Sequence, residues 1–202
     1  GDWGPARKIG LGPLSVEAVL RLMQHMSEHG HTDLGDAVEL WHRSGGIPAH
    51  VNQLLRYLAE GGSLESAPES LADLVAARID GLPGAAQRVL QGAAVFGQFL
   101  YHEHLIEALG VTVTRQEMDG AINLLAARGM LQHQADYLSF DHDIIADVVY
   151  AATPANVRQS LHDSAGFVLA EAGADASVLG LHAERSNAPE RAAELLMRAG
   201  DE

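Results

Sequence analysis

The chain has 202 residues, 47% of them apolar and 20% charged, enough to build one large domain or two to three small ones. Its net charge of −14 repels phosphate backbones and anionic lipid, which argues against DNA or a membrane as a partner of the whole chain. Cysteine is absent, so disulfides and thiolate metal sites are excluded, and the composition fits a reducing, cytoplasmic setting.

Aromatic residues make up only 5%, so the core must come from Leu, Val, Ile and Ala, which favours packed helices over a β-sandwich. Residues 1–13 are rich in Gly and Pro and read as a connector. Gly1-Asp2-Trp3-Gly4-Pro5 has no apolar core behind it and no initiator Met, so it reads as the edge of a longer protein rather than a signal peptide. No run of about 20 apolar residues, the length a membrane-spanning helix needs, occurs anywhere.

Ser15 is the expected cap of a first helix, with Val16, Val19, Leu20 and Met23 on its inner face and Gly30 at its end. A second helix is predicted from about Leu34 to Arg43, stopping at Ser44-Gly45-Gly46. Pro48 opens a third, with Val51, Leu54, Leu55 and Leu58 inward and Gly61-Gly62 closing it. Ser70-Leu71-Ala72-Asp73 resembles a capping box for a fourth helix through Ile79.

Gly81-Leu82-Pro83-Gly84 marks a domain boundary. Helices are predicted over Ala85 to Phe96 and His102 to Leu109. Thr114-Arg115-Gln116-Glu117 then caps another, with Met118, Ala121, Ile122 and Leu125 inward, ended by Gly129. Met130 to His133 and Tyr137 to Phe140 flank Gln134-Ala135-Asp136 as strand, turn, strand. Three helices followed by a hairpin is the order of a winged helix. Thr153-Pro154 starts a helix to about Ala172, and shorter helical patterns near Val178 to Arg185 and Pro189 to Ala199 suggest the first unit of a helical repeat array. One such unit cannot bury its own face, so further repeats are expected. The predicted class is mainly α, divided into a connector (1–13), a helical subdomain (14–80), a winged helix with a small β-hairpin (81–152) and the start of α-α repeats (153–202).

Catalytic signatures are missing. There is no G-x-x-x-x-G-K-[ST] loop to cradle phosphates, no G-x-S-x-G, no H-E-x-x-H and no G-x-G-x-x-G after a strand. The chain is therefore read as non-catalytic. Eleven histidines invite a metal reading, but the closest pairs, His29 with His31 and His102 with His104, stand two apart and do not share a helix face. Surface or capping roles are the expectation, with no metal site. The winged helix raises DNA binding as an alternative. Residues 81–150, however, carry three arginines, Arg88, Arg115 and Arg128, against eight carboxylates, where a DNA reader needs a cationic surface. Packing between domains is the better use of such a module; a third alternative is a helical scaffold that binds peptide.

Seven segments fall in a recognisable order: Leu11-Gly12-Pro13-Leu14-Ser15, SGGIPAHVNQLLRYL (44–58), SLADLVAARIDGLP (70–83), RVLQGAAVFGQFL (88–100), FDHDIIADVVY (140–150), VRQSLH (157–162) and LHAERSNAPERAAELLMRAGD (181–201). This order, over nearly the whole chain, resembles the region after the ATPase core in bacterial STAND proteins. These are AAA-like signal-transduction ATPases joined to adenylate cyclase, protein kinase or transcription-regulator domains.

The resemblance implies that residues 14–80 are a lid that closes, with the winged helix, over ADP or ATP held by a P-loop core elsewhere in the parent protein. A tetratricopeptide-like sensor would follow and read a protein or small-molecule signal. No cofactor is then expected for this chain alone. The core on one side and further repeats on the other would be its partners. By the same resemblance, Gly46 and Pro48 form the lid turn against adenine and ribose, with Ile47 where Asn is usual. Pro48 suits this role, because it fixes φ and begins a helix whose N-terminus can face the site. His142 matches the winged-helix histidine that touches the β-phosphate of ADP in related ATPases, with Asp141 where an apolar residue is usual. The plainer alternatives are that Gly46 and Pro48 make a helix-helix turn and that His142 is hydrogen-bonded at the hairpin-helix junction.

Overall fold

The computed structural model describes residues 10, 12–28, 34–97, 100–134, 137–186 and 188–200. Among these residues the fold is mainly helical, with one small antiparallel sheet. The expected end of the first helix at Gly30, the His29 and His31 pair, the hairpin turn at 135–136 and most of the connector lie outside them. Two compact units are present, Gly1–Leu74 and Val75–Glu202.

The first unit contains α1 (Val16–Glu28), α2 (Ala37–Ser44), α3 (Pro48–Ala59) and the start of α4 (Leu71–Asp80). Its core joins Val19, Leu40, Val51, Leu54, Leu55, Leu58 and Leu64. The four predicted inward residues of α3 are all buried. Leu20, expected on the inner face of α1, is exposed, because the stripe through Val19 and Met23 carries the contact instead. α2 begins three residues later than predicted, where the Asp36 carboxylate accepts from the Val38 and Glu39 N–H groups at 2.8 and 3.0 Å. That cap satisfies donors that no intrahelical carbonyl can reach. Ser70 plays the same part for α4, accepting from the Asp73 N–H at 3.0 Å and donating to its carboxylate at 2.7 Å.

The second unit is organised around α5 (Gly84–Phe96). It is followed by β1 (Leu100–Tyr101), α6 (His102–Leu109), α7 (Arg115–Ala127), β2 (Leu131–Gln134), β3 (Tyr137–Phe140) and α8 (Asp143–Ala152). Thr114 and Glu117 form the predicted capping box of α7. The sheet order is β1-β3-β2, with Leu100 opposite Leu138 and Leu131 opposite Phe140. This is the winged-helix arrangement, completed by β1, which two residues of sequence give no period to reveal. Leu100, Leu131 and Leu138 turn inward onto a core that includes Leu90, Leu105, Met118 and Leu125. Buried Arg78 donates to the carbonyl of Arg128 at 2.7 Å, placing a cation on the C-terminal end of α7.

α8 turns into α9 (Ala155–Glu171) at Thr153, whose buried hydroxyl donates to the Val149 carbonyl at 2.6 Å. Pro154 begins the new helix. α10 (Ala176–Arg185) packs on α9 and α11 (Pro189–Gly200) packs on α10. Small residues line these junctions as expected: Ala165, Gly166, Gly180, Ala183 and Ala192 are all buried.

Candidate functional site

Gly46 and Pro48 lie in the first unit and His142 in the second. The Gly46 turn is built tightly from its own neighbours. The Leu14 N–H donates to the Gly46 carbonyl at 2.8 Å, and the indole Nε1 of Trp41 donates to the Leu14 carbonyl at 2.7 Å. The Gly46 N–H donates to Ser44 Oγ, and the Ile47 N–H to the Ser44 carbonyl. Gly45 and Gly46 both have positive φ, 59° and 68°. A β-carbon on Gly46 would stand 2.5 Å from the Leu14 carbonyl oxygen and 2.9 Å from Trp41 Nε1, whereas one on Gly45 meets nothing within 4 Å. Local packing therefore accounts for Gly46 on its own. Pro48 occupies the first turn of α3, and helix geometry leaves the N–H groups of Ala49 and His50 without intrahelical acceptors. Ile47 stands before them as the cap, without a side-chain cap bond, and its side chain is exposed.

His142 is the N-cap of α8, at the handover from hairpin to helix that the sequence indicated. Its backbone is extended, its carbonyl accepts from the Ile145 N–H at 3.0 Å, and its ring makes no cap bond. The side chain is 37% accessible, with Nε2 3.7 Å from the Asp141 carboxylate. That carboxylate is in turn held by Gln132 Nε2 at 2.8 Å. Asp143 and Asp147, one turn apart on α8, line a cleft of ≈ 780 Å³ together with Ser139, Phe140, Tyr150 and Arg185. A phosphate approaching His142 would meet an acidic surround.

The histidines behave differently from one another. His102 lies 3.6 Å from the Asp119 carboxylate and 5.8 Å, ring to ring, from His133. His104 packs edge-on against Tyr101. Among the described residues no group of three or more metal-ligating side chains converges.

The cluster that sequence reasoning missed joins α8, α9 and α10. Tyr150 OH lies 3.0 Å from His162 Nε2, and His162 Nδ1 lies 3.0 Å from His182 Nδ1. Both imidazoles are almost fully buried, at 1% and 3% exposure. One Nδ1 must carry the hydrogen and the other the lone pair, so the two rings hold opposite tautomers. Arg158 and Arg185 stand over the Tyr150 ring at 5.1 and 5.7 Å, and Arg158 also donates to the Tyr150 carbonyl. Burial, then the charges of His182, Arg185 and Arg158, push His162 down to about 4. Burial and Arg185 lower His182 as well. The two rings edge a second cleft of ≈ 580 Å³, lined also by Phe96, His104, Leu181 and Arg185. One signal in the sequence marks this cluster: His162 falls one turn before Ala165 and Gly166, on the small-residue stripe that α9 buries.

No helix among the described residues is long and apolar enough to cross a membrane. Compared with protein-family models, with curated proteins and with solved structures, the chain matches none of them.

Proposed function

We propose that this chain is a non-catalytic regulatory region of a STAND-type ATPase. Its lid and winged helix close over a nucleotide gripped by a P-loop core, and its helical repeats relay a signal to an attached cyclase, kinase or transcription-regulator domain. The observation that carries this reading is the hairpin-to-helix handover. A winged helix of order β1-β3-β2 leads directly into α8 with His142 at its N-cap, partly accessible and uncommitted to capping. The resemblance gives the nucleotide-contacting histidine that same place.

The winged helix is poorly suited to reading DNA. Arg115, at the start of α7, is paired with Glu103 at 3.1 Å, and the carboxylates of residues 81–150 outnumber the arginines eight to three. A module of this charge recognises protein surfaces more readily than phosphate backbones.

Calorimetry on the chain alone tests the proposal. ADP and ATP should bind more weakly than micromolar or not at all, because the phosphate cradle is supplied by the core. Tight binding by this chain would overturn it, as would an open reading frame with no G-x-x-x-x-G-K-[ST] upstream of these residues.

A further inference from the structure

The buried Tyr150, His162 and His182 chain has a consequence independent of any nucleotide. Two imidazoles face each other through their Nδ1 atoms at 3.0 Å, with one hydrogen between them. The α9 backbone at Gly166 packs on α10, where an added β-carbon would stand at ordinary contact distance, 3.4 Å, from His182 Cβ. Both rings edge the ≈ 580 Å³ cleft but are only 1% and 3% exposed, so little of either meets solvent while the helices stay packed.

The groups closest to the two imidazoles are cationic, aromatic or phenolic rather than anionic. α8 contributes Tyr150, α9 contributes Arg158 and α10 contributes Arg185, while α5 presents the apolar ring of Phe96 at 6.4 Å from His182. From α6, His104 shares the same cleft, and so does Asp175 at the start of α10. Asp147 of α8 lines the neighbouring cleft. The charged side chains Glu190, Arg191 and Glu194 of α11 and Glu103 and Glu107 of α6 are exposed. Beyond burial, the charges of His182, Arg185 and Arg158 act against protonation of His162, and that of Arg185 against protonation of His182.

We propose that Tyr150, His162 and His182 form an acid-sensitive latch, which holds α10 and α11 on α9 and α8 while both imidazoles are neutral and releases them when the pair takes up protons. A first added proton is buried beside two guanidinium groups. A second leaves two N–H groups pointing at each other, with no acceptor between them. The latch sits where the winged helix passes into the helical repeat, so opening it frees the repeat while the winged-helix core stays intact. His162 is depressed to about 4 from the ordinary 6.5. The stabilisation is therefore fully present above about 6.5, the unfolded value, and is lost as pH falls through the folded one.

The test is amide hydrogen exchange on the full chain between pH 7 and pH 3.5, expressed as protection factors. On acidification, α10 and α11 should lose protection first, by up to about tenfold per pH unit for each proton taken up, while α5 and α7 stay protected. In the doubly substituted His162→Gln, His182→Gln chain that selective loss should vanish. Simultaneous loss across α5, α7 and α10, or selective opening at an unchanged pH in the double variant, overturns the latch. Histidine ¹⁵N spectra of the unsubstituted chain give an answer even if the variant does not fold. The two rings should show opposite tautomers at pH 7 and titrate below 6.5; either ring titrating at or above 6.5 overturns the proposal.

Discussion

Replacing Gly46 and Gly45 separately by alanine distinguishes a backbone requirement from a close approach. Both residues have positive φ, so alanine at either costs roughly 1–2 kcal/mol for the left-handed conformation. At Gly45 nothing more is due, because its new methyl group meets open space. At Gly46 the methyl would stand 2.5 Å from the Leu14 carbonyl oxygen, which is backbone and itself tied to the Trp41 indole. Moving it adds an overpacking penalty of about 1–3 kcal/mol. Gly46→Ala should therefore destabilise the first unit by roughly 2–5 kcal/mol, and Gly45→Ala by roughly 1–2 kcal/mol. The assay is urea unfolding followed by Trp41 fluorescence in a Trp3→Phe background, which leaves Trp41 as the sole tryptophan of the two. The midpoint should shift at constant slope. Equal losses at the two glycines would refute the argument that the Leu14 contact, rather than φ, makes Gly46 necessary.

Thr114→Ala breaks the capping box of α7 and should cost about 1 kcal/mol in urea unfolding of the second unit. Tyr150→Phe removes the hydroxyl partner of His162 Nε2 and should cost about 1 kcal/mol by the same measurement at neutral pH. His142→Ala removes a partly accessible ring together with its 3.7 Å pairing to the Asp141 carboxylate, so thermal unfolding of the chain should change by no more than about 1 kcal/mol.

The helices were legible because their signals are local. Pro48, Thr114 with Glu117, and Pro154 each mark a helix start through backbone chemistry confined to one turn. Leu20 shows where periodicity fails: it stands next to Val19 on the boundary of the apolar stripe, and only the packing of α1 on α2 decides which of them is buried. β1 was invisible because two residues cannot show alternation, and its pairing with β3 spans nearly forty positions of chain. The His162 and His182 pair stands twenty residues apart on different helices, so no spacing rule joins them. His142 was found by resemblance to a family motif, and its position at the hairpin-helix junction was legible from the strand and helix patterns around it.

If the proposed function holds, Asp141 sets how strongly His142 can hold a phosphate. A phosphate bonded to His142 Nε2 would lie on the order of 6 Å from the Asp141 carboxylate, given the 3.7 Å between that nitrogen and the carboxylate. In a water-like medium each pair of unit charges at that separation repels by about 0.7 kcal/mol, so a doubly charged terminal phosphate of ADP loses about 1.4 kcal/mol, roughly tenfold in affinity. Asp141→Asn removes the charge yet leaves an amide oxygen to accept from Gln132 Nε2. In the protein carrying its P-loop core, Asp141→Asn should slow ADP release up to about tenfold, and His142→Ala should speed it. Opposite signs at adjacent residues are what a histidine-phosphate contact restrained by a neighbouring carboxylate demands. Unchanged ADP release in both variants would assign His142 to the hairpin-helix junction and remove the nucleotide from this part of the molecule. The isolated chain provides the control, since neither substitution touches a buried core position and both should leave its thermal unfolding nearly unchanged.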